Sequence, residues 1–196
     1  MYCPEILLRD VLMTKKVILW VLIIVFSYIA GFVAAMYSYP SREFSRTWKK
    51  IVLDGGMNRW LHMRNLADDT SKMIVRPNND TLYSYAAVDI DSGPFVIEIP
   101  ASDRYWSVQF MKENTDVFAY IGSREYGLNK AVTVILARQN FLGDMRGLPV
   151  LKSPCKKAWV LARFLVDGKD DLPRVHQLQD RMKITSLKDY QLNSHK

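Results

Sequence analysis

The chain changes its hydrophobic texture three times. From Val17 to Tyr37 it reads VILWVLIIVFSYIAGFVAAMY, without a charge. At about 1.5 Å of rise per residue, a helix of that length covers roughly 30 Å, the hydrocarbon thickness of a bilayer. Trp20 stands near one end, and Tyr37 and Tyr39 near the other, where interfacial aromatic anchors belong. Pro40 is expected to stop the helix. The pattern predicts one transmembrane helix over residues 17–37, behind a cytoplasmic tail over 1–16. A cleaved signal peptide is the rival reading, because Val33-Ala34-Ala35 offers small residues to a peptidase. The apolar run is longer than the about 7–15 residues of a signal core, which favours a retained anchor. Lys15 and Lys16 abut the amino-terminal end, while Arg42, Arg46, Lys49 and Lys50 lie past the other. Counting positive charges is therefore indecisive, and the immediate flank places the amino terminus in the cytoplasm and the rest outside.

The second texture is short. Between Ser41 and Leu53, Phe44, Trp48, Ile51 and Val52 recur at helical spacing, opposite Arg42, Arg46 and Lys49. Gly55-Gly56 ends the run. Residues 38–56 read as a juxtamembrane amphipathic helix or linker, either packed on the carboxyl-terminal domain or laid on the membrane surface.

The third texture has period two. Leu82, Ala86, Val88 and Ile90 share one face of a strand, with Tyr83, Tyr85 and Asp89 on the other. Phe95, Ile97 and Ile99 alternate with Val96 and Glu98; Trp106, Val108 and Phe110 alternate with Tyr105, Ser107 and Gln109. Residues 117–121, 131–137 and 157–166 add three more apolar runs. Turn-forming stretches such as Asp91-Ser92-Gly93-Pro94 and Gly122-Ser123-Arg124 separate them. Residues 57–190 are thus expected to be mainly β, an antiparallel β-sandwich or a partly closed barrel. A helix closes it: Asp171 as cap, Pro173 in the first turn, then Leu172, Val175, Leu178 and Met182, with Arg181 and Lys183 at its carboxyl end. Residues 191–196 form a tail.

Composition narrows the function classes. The net charge is +7, but lysine and arginine are scattered, with none of the dense stripe that nucleic-acid binding needs. Cys3 and Cys155 lie on opposite sides of the apolar segment, and His62, His176 and His195 make no cluster. Neither an internal disulfide, a metal nor a cofactor is expected.

Candidate chemistry centres on Arg76-Pro77-Asn78-Asn79-Asp80-Thr81-Leu82-Tyr83-Ser84. One turn needs one or two Asn or Asp residues, and this stretch offers several. Arg76, Asn78, Asn79, Asp80 and Thr81 could converge on sugar hydroxyls or a hard cation, or they could simply satisfy backbone groups in a turn that leads a strand. Tyr83, Tyr85, Tyr105, Gln109 and Tyr120 could line a concave binding face, or be ordinary half-exposed strand packing. Arg163 sits in the apolar run Ala158–Val166, where a buried guanidinium needs an acid; Asp80, Asp116 and Asp167 are the candidates. His62 with Asp80 would be the pair for acid–base chemistry, although no nucleophile motif accompanies it.

Several blocks resemble a bacterial family, domain of unknown function 1254. They are Val75–Ser84; Tyr105-Trp106-Ser107-Val108-Gln109; Asn114–Arg124; Trp159–Gly168; and Val175–Asp180. The resemblance runs from about Gly55 to Tyr190, with Ser123–Lys157 the weakest part. It implies a β-rich domain and a frequent companion, family 1214, fused on longer chains or made separately. This chain looks like a short, membrane-anchored member without the companion. The expected function is that of a single-pass protein of the bacterial inner membrane. Its periplasmic β-rich domain would bind a ligand or partner without catalysis, alone or as half of a split assembly. The alternative is a periplasmic hydrolase acting on a polar or saccharide substrate.

Overall fold

The computed structural model describes residues 4–68, 78–143 and 147–193. The chain divides into two compact units, Met1–Pro40 and Ser41–Lys196. One helix, α1, runs over Pro4–Gly55 and contains Pro40. The expectation that Pro40 ends the helix is therefore corrected. A proline removes one intrahelical hydrogen bond and crowds the carbonyl four residues back. On its carboxyl side the helix has packing partners of its own, and these hold it to Gly55. Part of the expected amino-terminal tail is helical too. In the first unit the apolar side chains from Val17 to Tyr37 are exposed, and the helix is long and apolar enough to cross a membrane.

Among its described residues the second unit holds nine strands: β1 (Trp60–His62), β2 (Thr81–Asp89), β3 (Phe95–Ile99), β4 (Trp106–Met111), β5 (Val117–Gly122), β6 (Val132–Arg138), β7 (Val150–Ser153), β8 (Lys157–Leu165) and β9 (Lys183–Ser186). Three further helices are α2 (Ser123–Tyr126), α3 (Leu172–Asp180) and α4 (Leu187–Asn193). One sheet has the order β1-β2-β8-β4-β5, the other β7-β6-β3-β9. Neither closes on itself, so the partly closed barrel is corrected to two open sheets. The expected antiparallel pairing holds everywhere but at one edge, where β7 runs parallel to β6.

The alternation explains the core. Leu82, Ala86 and Val88 on β2, Phe95, Ile97 and Ile99 on β3, Trp106, Val108 and Phe110 on β4, and Val160, Ala162 and Phe164 on β8 join one apolar cluster that draws on both sheets. The opposite faces need covers of their own. Phe44, Trp48 and Ile51 of α1 pack on Tyr83, Tyr85, Ala87, Met111 and Leu161, on the outer side of the five-stranded sheet. Of the two readings of the amphipathic helix, the packed one holds for these side chains. Its basic residues Arg42, Arg46, Lys49 and Lys50 are not buried by that packing. Gly56, at φ 84°, turns the chain out of the helix, its N–H donating to Val52 O at 3.0 Å. On the smaller sheet, Leu187 of α4 covers Val96, Ile135 and Ala137.

Two details of the last helix are corrected. Asp171 does not cap α3 through its side chain. Its carboxylate instead accepts from Arg104 and from the Asp167 N–H, and the Arg104 hydrogen bond holds it below the usual carboxylate range. Lys183 lies in β9, beyond the helix end at Asp180.

Candidate functional site

The outer face of the five-stranded sheet is covered by α1 only in part. Beyond Tyr83 and Tyr85 the same face becomes polar. The register aligns a row across four strands: Tyr83 on β2 opposite Arg163 on β8, Arg163 opposite Ser107 on β4, and Ser107 opposite Gly122 on β5. One step along, Gln109 stands opposite Tyr120. Arg163 points to this face because its neighbours Ala162 and Phe164 belong to the inner core. Here the sheet borders a cavity of about 370 Å³, lined among others by Tyr105, Ser107, Gln109, Tyr120, Arg124 and Arg163. Gly122 lets β5 come close to β4, since a Cβ there would lie 2.9 Å from Trp106 O.

The contacts inside the cavity are amides and rings. Arg163 Nη2 donates to Gln109 Oε1 at 2.9 Å, and Gln109 Nε2 donates to the Tyr120 hydroxyl at 3.3 Å. The guanidinium also lies 6.0 Å from the Tyr83 ring centre. At the mouth, Arg124 stacks over Tyr105 at 5.8 Å. The acid expected beside Arg163 is not found among the described residues. Asp80 accepts from Thr81 Oγ1 at 2.9 Å, Asp116 pairs with Lys112 at 3.0 Å, and Asp167 reaches Asp171 through its backbone. Arg163 Nε and Ser107 Oγ are buried with no hydrogen-bond partner.

The sequence candidates separate into two groups. Tyr105, Gln109 and Arg163 meet in the cavity. The polar turn does not line it. Asn78, Asn79 and Asp80 are exposed, and Thr81 is buried, its hydroxyl on Asp80. Tyr83 is buried under α1, its hydroxyl accepting the Asn78 N–H at 2.8 Å, so it serves packing and the turn. Tyr85 is buried beside it, and burial pushes its phenol well above the ordinary value. Arg76 lies outside the described residues. Ser107 and Arg124 join the cavity without having been candidates. Ser107 is legible in the sequence, alternating in phase with Tyr105 and Gln109. Arg124 is not, since it reaches the cavity only because β5 pairs with β4.

A second polar network ties α3 to the edge of the same sheet. His62 Nδ1 lies 2.8 Å from Ser84 Oγ, a fully buried hydroxyl that also accepts from Gln179 Nε2 at 3.0 Å. Gln179 donates further to Met63 O, and its Oε1 accepts from Arg64, which also pairs with Asp180. The expected pair of His62 with Asp80 is not formed. Ser84, the partner of His62, lies four residues beyond Asp80, about 13 Å along an extended chain. Burial first, then the nearby Arg64 charge, lowers the His62 pKa to about 4, against a smaller upward pull from Asp180. The neutral ring fits a hydrogen-bonded clasp. Between pH 6.5 and 4 the unfolded chain binds a proton that the folded one refuses, so stability falls as the pH drops through that window. The expected loss is about 1–2 kcal/mol, discounted because the ring is only part-buried. Urea melts at about pH 7.5 and 4.5, on either side of most of that window, should show it. His62→Gln should flatten the difference; an unchanged slope would show that His62 is not responsible.

The fold and cavity together define a class: a two-sheet β domain with a polar cavity on the outer face of its larger sheet, on a chain that begins with a long apolar helix. The chain belongs to the family described as protein of unknown function (DUF1254), which matches residues 57–186. The crystal structure of the VPA0106 protein from Vibrio parahaemolyticus shares the fold at a TM-score of 0.60 and 19% identity, over 80% of this chain and 38% of that one. The crystal structure of an uncharacterized protein from Burkholderia cenocepacia matches at a TM-score of 0.46 and 15% identity, over 79% of this chain and 42% of that one. The chain thus spans less than half the length of either. No curated protein matches it.

Proposed function

We propose that this chain is a single-pass protein of the bacterial inner membrane. Its amino terminus is cytoplasmic, and its DUF1254 domain, a β-sandwich in this reading, binds a small polar ligand on the periplasmic side without converting it. The observation that carries the binding reading is the meeting of Arg163, Gln109, Ser107 and Tyr105 on one cavity, with no carboxylate paired to Arg163 among the described residues. A cavity lined by a few convergent polar groups beside aromatic rings is the usual form of a small-ligand site. The absence of conversion is supported by His62, which is committed to Ser84 and Trp60 instead of facing the cavity. The anchor is supported by the exposed apolar surface of α1, and the orientation by Lys15 and Lys16. A separate protein carrying the companion domain, family 1214, is the partner in this reading.

Retention of small molecules tests the binding reading. Intact protein in detergent is equilibrated with cell extract, washed, and the released molecules are read by mass spectrometry. Wild type should retain a compound that Ser107→Phe, which fills the cavity, loses while keeping its melting temperature. Equal retention by both, or none by wild type, would sink the reading. Protease should digest the domain in spheroplasts; a protected domain would reverse the orientation.

A further inference from the structure

We propose that the ligand of this cavity is a small organic carboxylate, seated on the Arg163 guanidinium. This rests on the binding reading above and adds the chemistry of what is bound. Arg163 and Ser107 are directly opposite in the β8–β4 register, so their Cβ atoms are about 4.5–5.5 Å apart. Arg163 Nη2 is taken by Gln109, while Arg163 Nε and Ser107 Oγ have no partner. Both of those atoms are closed off from the cavity, so a ligand meets the rest of the Arg163 guanidinium, whose N–H groups can only donate and so call for an acceptor. Charge points the same way. Among the described residues no carboxylate pairs with Arg163, and a part-buried guanidinium held by an amide and the face of a tyrosine lacks its counter-charge. A planar carboxylate matches the flat edge of that fork. Arg124 at the mouth adds a second positive charge, and Glu125 beside it is the one acid on the described lining, which leaves a net positive site suited to a single anionic group. Tyr105 and Tyr120, both partly exposed, offer ring surface to an apolar body, which inorganic phosphate would not use.

The test titrates sodium benzoate, sodium acetate, benzamide and sodium phosphate into the full-length protein in detergent at constant ionic strength, read by calorimetry. Benzoate should bind saturably and more tightly than acetate, and benzamide should not bind. Arg163→Gln should weaken benzoate by about tenfold or more, as expected for loss of a charge-assisted pair. Arg163→Lys keeps the charge without the fork, and Arg124→Gln removes the second positive charge at the mouth. Both should weaken binding by smaller factors, and they carry the test if Arg163→Gln fails to fold. Equal binding of benzamide and benzoate, tighter binding of phosphate, or no binding of either carboxylate would each overturn the carboxylate assignment. If extract compounds are still retained in such a case, the binding reading stands without it; if nothing is retained, the binding reading falls as well.

Discussion

A chain beginning at Met57, where the family match begins, is expected not to fold, whereas one beginning at Ser41 should fold. The reason is the cover on the larger sheet. Phe44, Trp48 and Ile51 are exposed by only 3%, 8% and 0%, and they rest on Tyr83, Tyr85, Ala87, Met111 and Leu161. Lys157 adds a cation over the Trp48 ring at 5.6 Å. Burying each of three large apolar side chains is worth about 1.5–3 kcal/mol, so together they supply roughly 4.5–9 kcal/mol. That equals much of the whole stability of a typical domain, about 5–15 kcal/mol. Removing the helix would also bare a contiguous apolar patch on the sheet and promote association. Urea denaturation and dye binding to exposed apolar surface would compare the two chains. If the shorter one melts cooperatively within about 1 kcal/mol of the longer, the helix is a dispensable cover and the expectation fails.

Gln179→Leu should be the most damaging single polar substitution in the domain. Gln179 is fully buried, and its amide donates to Met63 O at 3.1 Å, Tyr83 O at 3.3 Å and Ser84 Oγ at 3.0 Å, while its carbonyl accepts from Arg64 at 3.3 Å. Leucine fills similar space but removes four hydrogen bonds at once; Tyr83 O keeps the Met63 N–H, Ser84 Oγ keeps His62 and Arg64 keeps Asp180, so the group left worst off is Met63 O. One buried group left unsatisfied costs about 1–3 kcal/mol and each further lost hydrogen bond about 0.5–1.5 kcal/mol, so about 3 kcal/mol in total is expected. Gln179→Glu should be no milder near neutral pH, because a carboxylate cannot donate to the Met63 and Tyr83 carbonyls. Chemical denaturation measures both. A loss below about 1 kcal/mol for Gln179→Leu would mean that water substitutes for the amide.

The parts of this fold written in local alternation can be read from the sequence, and those written in distant pairing cannot. β2, β3, β4, β5, β6 and β8 each announce themselves by period two or by apolar, β-branched runs. β1, β7 and β9 are three or four residues long, too short for a period to show, and exist because a neighbour supplies their hydrogen bonds. Pro40 illustrates a strong local rule outweighed by packing further along the helix. At the site, Arg163 is legible as a charge in an apolar run, and Tyr105 and Gln109 as a polar face. The partner of Arg163 is not legible, because Gln109 and Arg163 are neighbours only through the β4–β8 register. The turn at Asn78–Asp80 is richer in polar groups than a turn requires, yet it is exposed to solvent.

The position of β8 sets a schedule for folding. It lies between β2 and β4, and without it the larger sheet falls into two separate strand pairs, β1 with β2 and β4 with β5. Thr81 pairs with Leu165 and Asp89 with Lys157, so the central ladder waits for chain made long after β2 has emerged. At synthesis rates of about 5–20 residues per second, that is a delay of several seconds. During it β2 has one bare edge, on the side away from β1, a state open to aggregation in topologies dominated by distant contacts. Chains released before Leu165 are therefore expected to be substrates for quality-control proteases, and a holding chaperone would have its clearest role in that interval.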